Sequence, residues 1–335
     1  MSTATEASLG CRPMSLTADQ IELELDTYRR ELTAYCYRML GSGFEAEDAV
    51  QETMVRAWRN YDRFEGRSTL RSWLYRIATN VCLDMQKGPQ RRARPMDLGP
   101  SSPAELKHLG SQTHESVWVQ PMPDALTMPE GGDPGEIVAA RESIRLAFVA
   151  ALQHLPARQR AVLILREVLR WPATDVADLL ETTVASVNSA LQRARATLAE
   201  RDPGDSAPDP TDPDHLALLA RYVDAFERYD MDAMVDILHE DAVISMPPYP
   251  LWIQGRSEVI RWFVGPGHEC EGSVLIPTSA NGSPAFGSYR QTRPGLHEPW
   301  ALQVLEVRDG KVSGHHNFLS PELFPFFGLP TRIES

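Results

Sequence analysis

The sequence predicts a multidomain chain in which two all-α domains precede one α+β domain. Three observations carry this. Apolar residues recur at helical spacing over 21–87 and again over 136–200. Past residue 240 the pattern changes to short apolar runs separated by turns. Two stretches rich in Pro, Gly, Ser or Asp, at 88–135 and 202–213, lie between these blocks. The 335 residues exceed one ordinary domain, and a hydrophobic fraction of 42% is enough for several cores.

The expected segments are helical domains at 21–88 and 136–201, joined by a linker at 89–135. A Pro/Asp-rich tether at 202–213 leads to an α+β domain at 214–320 and an apolar tail at 321–335. In the first domain Leu25, Tyr28, Leu32, Tyr35 and Met39 follow three- and four-residue spacing. Gly41-Ser42-Gly43 ends that run, Glu45–Asn60 forms the next helix, and 62–67 is a turn. Ser68 is placed to cap a helix over Thr69–Met85.

The linker shows no persistent period and is expected to lack a core of its own. Its apolar island, Val117-Trp-Val-Gln-Pro-Met-Pro123, is expected to dock on a neighbouring domain. Helix resumes at Glu136, with breaks near Pro156 and Pro172. The third domain opens on an amphipathic helix through Leu218, Tyr222 and Phe226. Strands are expected at 242–246, 272–278, 285–291, 300–308 and 311–319, forming a curved antiparallel sheet. Asp309-Gly310 marks a hairpin between the last two. The tail 319–329 is apolar and must pack, on its own sheet or on the helical domains.

Composition excludes several classes. The apolar runs are short and broken by charge, so no membrane span is expected. Residues 1–16 lack the basic and apolar regions of a signal peptide, which points to the cytoplasm. Cys11, Cys36, Cys82 and Cys270 are scattered, which suits reduced thiols better than a disulfide frame or a metal site; no cofactor is expected. The net charge of -13 is uneven: residues 201–335 hold 10 basic and 20 acidic side chains. The acidic module is expected either to aid solubility or to compete with DNA for basic surfaces.

In the helix Ala46-Glu-Asp-Ala-Val-Gln-Glu-Thr-Met-Val-Arg-Ala-Trp58, Val50, Met54 and Ala57 share one face. Asp48, Gln51, Glu52 and Arg56 line another. Residues 61–84 then interleave aromatics with arginines; aromatic faces stack on unpaired bases, and arginine neutralises phosphates. Farther on, Asp175–Leu180 reads as a short helix, Glu181-Thr-Thr183 as a turn, and Thr183 as the cap of the next helix. Small and amide side chains at the start of that helix suit entry into a major groove. Val176, Leu179, Leu180, Val184, Val187, Leu191 and Leu198 form its apolar set.

Together these segments resemble region 2 and region 4 of extracytoplasmic-function (ECF) sigma factors, with Trp58, Phe64-x-Gly66 and Leu155–Leu165 also matching. The resemblance implies two all-α sigma domains, a region 2 bundle and a region 4 helix-turn-helix. It implies a non-enzymatic protein, without catalytic or metal-binding residues, whose partners are core RNA polymerase and promoter DNA. Asp48, Gln51 and Glu52 match the positions that dock on the clamp coiled coil of the largest polymerase subunit. Phe64, Arg67 and Ser68 fall on or beside the loop that captures a flipped -10 base, and Arg71, Tyr75, Arg76 and Asn80 on the DNA face of the following helix. Trp73, Leu74 and Ile77 are read as core.

In the recognition helix, Thr183, Ala185, Ser186, Asn188, Ser189 and Gln192 would meet the -35 element, and Arg193 and Arg195 its phosphates. Two departures stand out: Glu181 replaces the usual turn glycine, and Asn188 and Ala190 occupy positions commonly basic, so phosphate affinity is expected to be lower. A left-handed non-glycine residue in that turn costs only about 1–2 kcal/mol.

The third domain resembles the SnoaL-like cone through Tyr222–Phe226, Leu238–Val243, Met246–Tyr249 and Gly255–Val259. Sigma factors with such an extension form a known group, in which it stands in for a separate anti-sigma factor and contacts the sigma domains. His239, Asp241, Tyr249, Trp252, Trp262 and His316, with His315 beside them, are candidates for a pocket holding a small-molecule ligand. Two other readings stay open. A helix-turn-helix regulator acting without polymerase has no use for Asp48, Gln51 and Glu52. A SnoaL-type enzyme with a DNA-binding leader would lose turnover when Asp241 or His316 is replaced.

Overall fold

A computed structural model describes residues 17–64, 66, 68–86, 92–199 and 209–334. The N-terminal domain holds four helices, α1 (Ala18–Asp26), α2 (Arg29–Leu40), α3 (Gly43–Asn60) and α4 (Leu70–Met85). Thr17 and Ser42 cap α1 and α3 by accepting from Gln20 and Glu45 backbone N–H groups. The cap of α4 is Thr69, which accepts from the Ser72 N–H at 3.1 Å, rather than Ser68. Gly41, with φ +71, terminates α2 where the sequence breaks its period.

The linker departs from expectation: 92–133 is ordered. It carries α5 (Pro95–Leu98), single turns at Leu106–His108 and Glu115–Val117, and α6 (Asp124–Thr127). Bridges join Ala93 to Trp118 and Pro123 to Ala280. Trp118, Val119 and Met122 are buried, and the latter two belong to the core shared with the helical domains. The stretch lacks a private core, as its composition implies, but borrows one from its neighbours.

The second helical domain comprises α7 (Pro134–Glu142), α8 (Leu146–Gln153), α9 (Ala157–Leu163) continuing into a π-helical turn (Ile164–Val168), α10 (Ala173–Leu179) and α11 (Val184–Ala199). Its apolar set is buried as the pattern requires, with two departures: Val184 is exposed and Leu198 half-buried.

The third domain has α12 (Pro213–Glu227), α13 (Met231–Ile237), β1 (Leu238–Ser245), β2 (Trp252–Gln254) and α14 (Arg256–Val264). The strands β3 (Val274–Ala280), β4 (Ser283–Arg293), β5 (Leu296–Arg308) and β6 (Lys311–Phe318) follow, then α15 (Leu323–Phe326) and β7 (Ile333–Glu334). Strand order is β2-β1-β6-β5-β4-β3, with β7 beside β5. The sheet is mixed rather than antiparallel, because β1 runs parallel to β6. Asp309 and Gly310, with φ +52 and +69, make the expected tight turn between β5 and β6.

Both faces of this sheet are buried. Leu275, Phe286, Leu305 and Val312 point into the cone beneath α12–α14. Tyr289, Leu302, Val304 and Phe318 point the other way, into one continuous core with the helical domains. Strand alternation explains the division: Val304 and Leu305 are adjacent and serve opposite cores. The tail resolves its two expected options by doing both. The Phe324 ring meets Tyr289 edge-on at 5.0 Å, while Phe326 lies 4.9 Å from Phe44 on α3. A Cβ on Gly43 would stand 2.6 Å from Phe326, so the start of α3 is shaped to receive it.

Candidate functional site

On α3, Ala46, Ala49, Val50, Thr53 and Ala57 are buried, while Asp48, Gln51 and Glu52 lie exposed on the opposite side. Glu52 accepts from Arg56 Nε at 2.6 Å, and Trp58 is 53% exposed one turn beyond. The stripe is therefore open to a partner.

The α4 surface differs from expectation. Tyr75 is fully buried: its ring packs on Tyr35 at 5.1 Å and on Trp171 of the second helical domain at 5.0 Å. Arg71 forms a bidentate pair with Glu31, Nε to Oε1 at 3.1 Å and Nη2 to Oε2 at 2.8 Å, and its guanidinium lies over both Tyr75 and Trp171. Arg76 donates to the Asp178 carbonyl at 3.1 Å. Of the predicted set, Ser68 and Asn80 are exposed, Phe64 is half-buried against Trp73 at 5.1 Å, and Arg67 lies outside the described residues. Leu74 is core as expected, but Trp73 and Ile77 are only half-buried. Tyr75 is covered because it lies between two domains, with Tyr35 of its own bundle on one side and Trp171, just before α10, on the other.

The helix-turn-helix matches its reading closely. Glu181 adopts φ +51, so this residue holds the left-handed turn position without glycine. Thr183 Oγ1 accepts from the Ser186 N–H at 3.2 Å, capping α11. Thr183, Ala185, Ser186, Asn188, Ser189, Gln192, Arg193 and Arg195 are all exposed, while Val187, Leu191 and Ala194 anchor the helix. The ion pair of Arg195 goes to Glu167, and that of Arg71 to Glu31. Neither goes to the acidic third domain, so these arginines are not neutralised by it.

A clasp that the sequence reading missed joins all three domains. Arg38 on α2 donates to the Ser143 carbonyl and hydroxyl, at 3.1 and 2.6 Å. Arg160 on α9 donates to the Met39 carbonyl and to Gln153 Oε1. At the tip of the β3–β4 hairpin, Asn281 is fully buried at φ +57. Its Nδ2 donates to Tyr37 Oη at 2.6 Å and to the Ile144 carbonyl at 2.5 Å; its Oδ1 accepts from the Met122 N–H at 2.9 Å. One side chain thus touches α2, the linker and the approach to α8. The neighbouring Gly282 donates to Asp124 Oδ1 at 2.7 Å, and a Cβ there would stand 2.2 Å from Arg141. Burial pushes the Asp124 carboxyl up to about 6, against the Gly282 hydrogen bond. The Asn-Gly dipeptide was a legible hairpin signal; that its tip enters the core was not.

In the cone, Tyr249 and Trp262 line a cavity, whereas His239, Asp241, Trp252 and His316 do not. His239 and Asp241 lie beside Arg308, outside the cavity lining. Trp252 donates from Nε1 to the Gly99 carbonyl of the linker at 2.9 Å. His316 shares the parity of Val304 and Phe318, so it faces the helical domains. There its Nδ1 meets Ser245 Oγ at 2.9 Å and its Nε2 lies 3.7 Å from Glu306. Burial would raise the Glu306 carboxyl, but His316 and then Arg94 and Arg145 outweigh it and hold it at about 2. It is His315 that faces the cavity side. Burial, then the neighbouring His316, pushes it down to about 3, so it is neutral.

Three family descriptions match this chain: sigma-70 region 2 over residues 25–92, sigma-70 region 4 over 145–198, and the SnoaL-like domain over 219–315. The ECF RNA polymerase sigma factor SigG of Mycobacterium tuberculosis (strain ATCC 25618 / H37Rv) is 44% identical over 328 residues, covering 97% of this chain and 88% of that protein. SigJ from the same strain is 26% identical over 325 residues, covering 92% and 95%. The crystal structure of M. tuberculosis SigJ superposes with a TM-score of 0.58 at 23% identity, covering 92% of this chain and 99% of that one, which shows a shared fold. Among the described residues no helix is long and apolar enough to cross a membrane.

Proposed function

This chain belongs to the ECF RNA polymerase sigma factors, and on that premise we propose which surfaces carry the work. Region 2 recruits core polymerase through Asp48, Gln51 and Glu52, and α4 with its preceding loop receives the -10 element. The α11 helix reads the -35 element with residues 183–195. The SnoaL-like domain takes the place of a separate anti-sigma factor, and it performs no chemistry. The protein acts in the cytoplasm, where its polymerase is.

The observation that supports this most is the contrast between surfaces. The α3 stripe and the α11 face are open, while Tyr75 is buried under Trp171 of region 4, whose ring also lies against the guanidinium of the half-buried Arg71. The closed chain can be recruited by polymerase but must separate its two sigma regions before α4 meets DNA. The Asn281 clasp, which spans α2, the linker and the approach to α8, resists that separation.

The test is promoter-specific transcription and core binding by the full-length protein carrying Asp48→Lys with Glu52→Lys. Both side chains are exposed, so the fold should survive. Core binding and transcription should both be lost. A variant that still binds core and initiates would defeat the assignment of this stripe. Promoter DNA binding that needs no polymerase and is indifferent to the charge reversal would favour a free-standing regulator instead.

A further inference from the structure

The clasp at the tip of the β3–β4 hairpin is built on a chemically labile pair. Asn281-Gly282 is the only Asn-Gly step in the chain. Glycine offers the least hindered backbone nitrogen, because no Cβ stands beside it. In a solvated chain that nitrogen can turn on the side chain before it. Having lost its proton, Gly282 N attacks Asn281 Cγ. A Cγ–N bond forms, the Cγ–Nδ2 bond breaks, and Nδ2 leaves as ammonia with a proton taken from water. Water then opens the five-membered imide at either carbonyl, and the product is aspartate or isoaspartate.

The closed chain blocks each step. Asn281 is 0% exposed, so water reaches neither the leaving group nor the imide. Attack makes Cγ tetrahedral, which pulls Oδ1 and Nδ2 out of the plane in which they meet the Met122 N–H, Tyr37 Oη and the Ile144 carbonyl. The Gly282 N–H is held by Asp124 Oδ1 at 2.7 Å, and a carboxylate there opposes loss of the proton. All three protections last only while α2, the linker and the approach to α8 are seated on the hairpin tip.

The product does not fit the place that the amide fills. Asn281 is used in both senses, with Oδ1 accepting and Nδ2 donating, whereas a carboxylate only accepts. Its second oxygen would face the Ile144 carbonyl oxygen and Tyr37 Oη, whose own hydrogen already goes to the Gln120 carbonyl at 2.8 Å. Asp124, across Gly282, adds a second carboxyl. An unpaired carboxylate among acceptors is expensive to bury. Isoaspartate also adds a methylene to the backbone of a two-residue turn closed by the Ala280–Ser283 pair.

We propose that Asn281 is a deamidation site, protected while the clasp is closed and exposed when it opens, so that an opened chain that deamidates is barred from closing again. The modification makes separation of the sigma regions one-way. That consequence rests on the sigma-factor reading above; the protection of Asn281 and the misfit of its product do not.

The test incubates the full-length protein in mildly alkaline buffer in three states: by itself, unfolded in urea, and bound to core polymerase on promoter DNA. Peptide mass spectrometry reads the exchange of NH2 for OH at residue 281, and methylation by an isoaspartate methyltransferase reads the isomer. Deamidation of the free folded protein should be at least about a hundredfold slower than in urea, because it tracks the open fraction. The polymerase-bound rate should fall between the two. The Asn281→Asp protein should exchange amide hydrogens faster than the unaltered chain over 119–124 and 143–147. Equal rates in the folded and urea-unfolded protein, unchanged exchange in Asn281→Asp, or a polymerase-bound rate no higher than that of the free protein would each overturn the proposal. If Asn281→Asp does not fold, the rate comparison decides, since it uses the unaltered chain. The folded-against-urea comparison and the exchange measurement contain no polymerase, so their failure is distinct from a failure of the sigma reading, which shows as absence of the polymerase complex.

Discussion

The two surfaces proposed to meet DNA sit on helices of equal length, yet the fold treats them oppositely. On α11 all eight proposed contacts are exposed, and a cap and three apolar anchors hold the helix from behind. On α4 the central tyrosine is buried and the central arginine is committed to Glu31 and Trp171. The residue types alone would rank the two faces alike. The difference teaches that an aromatic-arginine pattern suited to unpaired bases is equally suited to closing a domain interface: both uses need a flat apolar ring with a cation over it. In the closed chain, Trp171 occupies the place at Tyr75 and Arg71 that a base would take.

The strongest way to break this comparison is Trp171→Ala. Loss of a buried Trp should reduce stability by about 3–5 kcal/mol in denaturant titrations. It should also raise affinity for a single-stranded -10 oligonucleotide in the absence of polymerase. Unchanged oligonucleotide binding would mean that Trp171 does not mask α4.

Next in size is Asn281→Ala, which removes three buried hydrogen bonds and puts a less tolerant residue at positive φ, together roughly 3–4 kcal/mol. Asn281→Gly, which relieves the backbone but not the bonds, should recover only about 1 kcal/mol of that. Full recovery by glycine would reduce the clasp to a turn preference.

Smaller effects sharpen the open side. Arg193→Ala should leave stability within about 0.5 kcal/mol. The salt slope of duplex -35 binding should fall by about one counterion. A slope equal to that of the unaltered protein would remove Arg193 from the phosphate contacts.

A final effect concerns pH. The Asp124 carboxyl rises from an ordinary value of 3.8 to about 6 on folding, chiefly by burial. The folded chain therefore retains a proton that the unfolded chain releases between those values. Its contribution is fully present below about pH 4 and is lost as pH rises through 6. Asp124→Asn, which keeps the acceptor for Gly282, should lack this term. The stability of the wild type relative to the variant should decline between pH 4 and 6 and then level off; a constant difference from pH 4 to 8 would refute the assignment.

Much of this was legible in the sequence because it is local. Helix registers, the cap at Thr183, the left-handed turn at Glu181 and the Asp309-Gly310 hairpin are set by residues a few positions apart, and neighbours in sequence fix them. The exposed face of α11 followed from the same periodicity. The sequence by itself thus determined the long helices of the two sigma domains, most strands of the third domain, their order and the family they belong to.

What tertiary structure decided was which apolar surface meets which. Periodicity reports that Tyr75 belongs to a helix, not that Trp171 covers it from 96 residues away. A Pro- and Gly-rich stretch such as 92–133 carries no period of its own, so its order depends on surfaces supplied by two other domains. Adjacent histidines in one strand point to opposite cores by parity alone, and the registers of β6 against β5 and β1 fix which of His315 and His316 faces the cavity. Those choices depend on long-range packing, for which the free energy is spread over many weak contacts that no local pattern encodes.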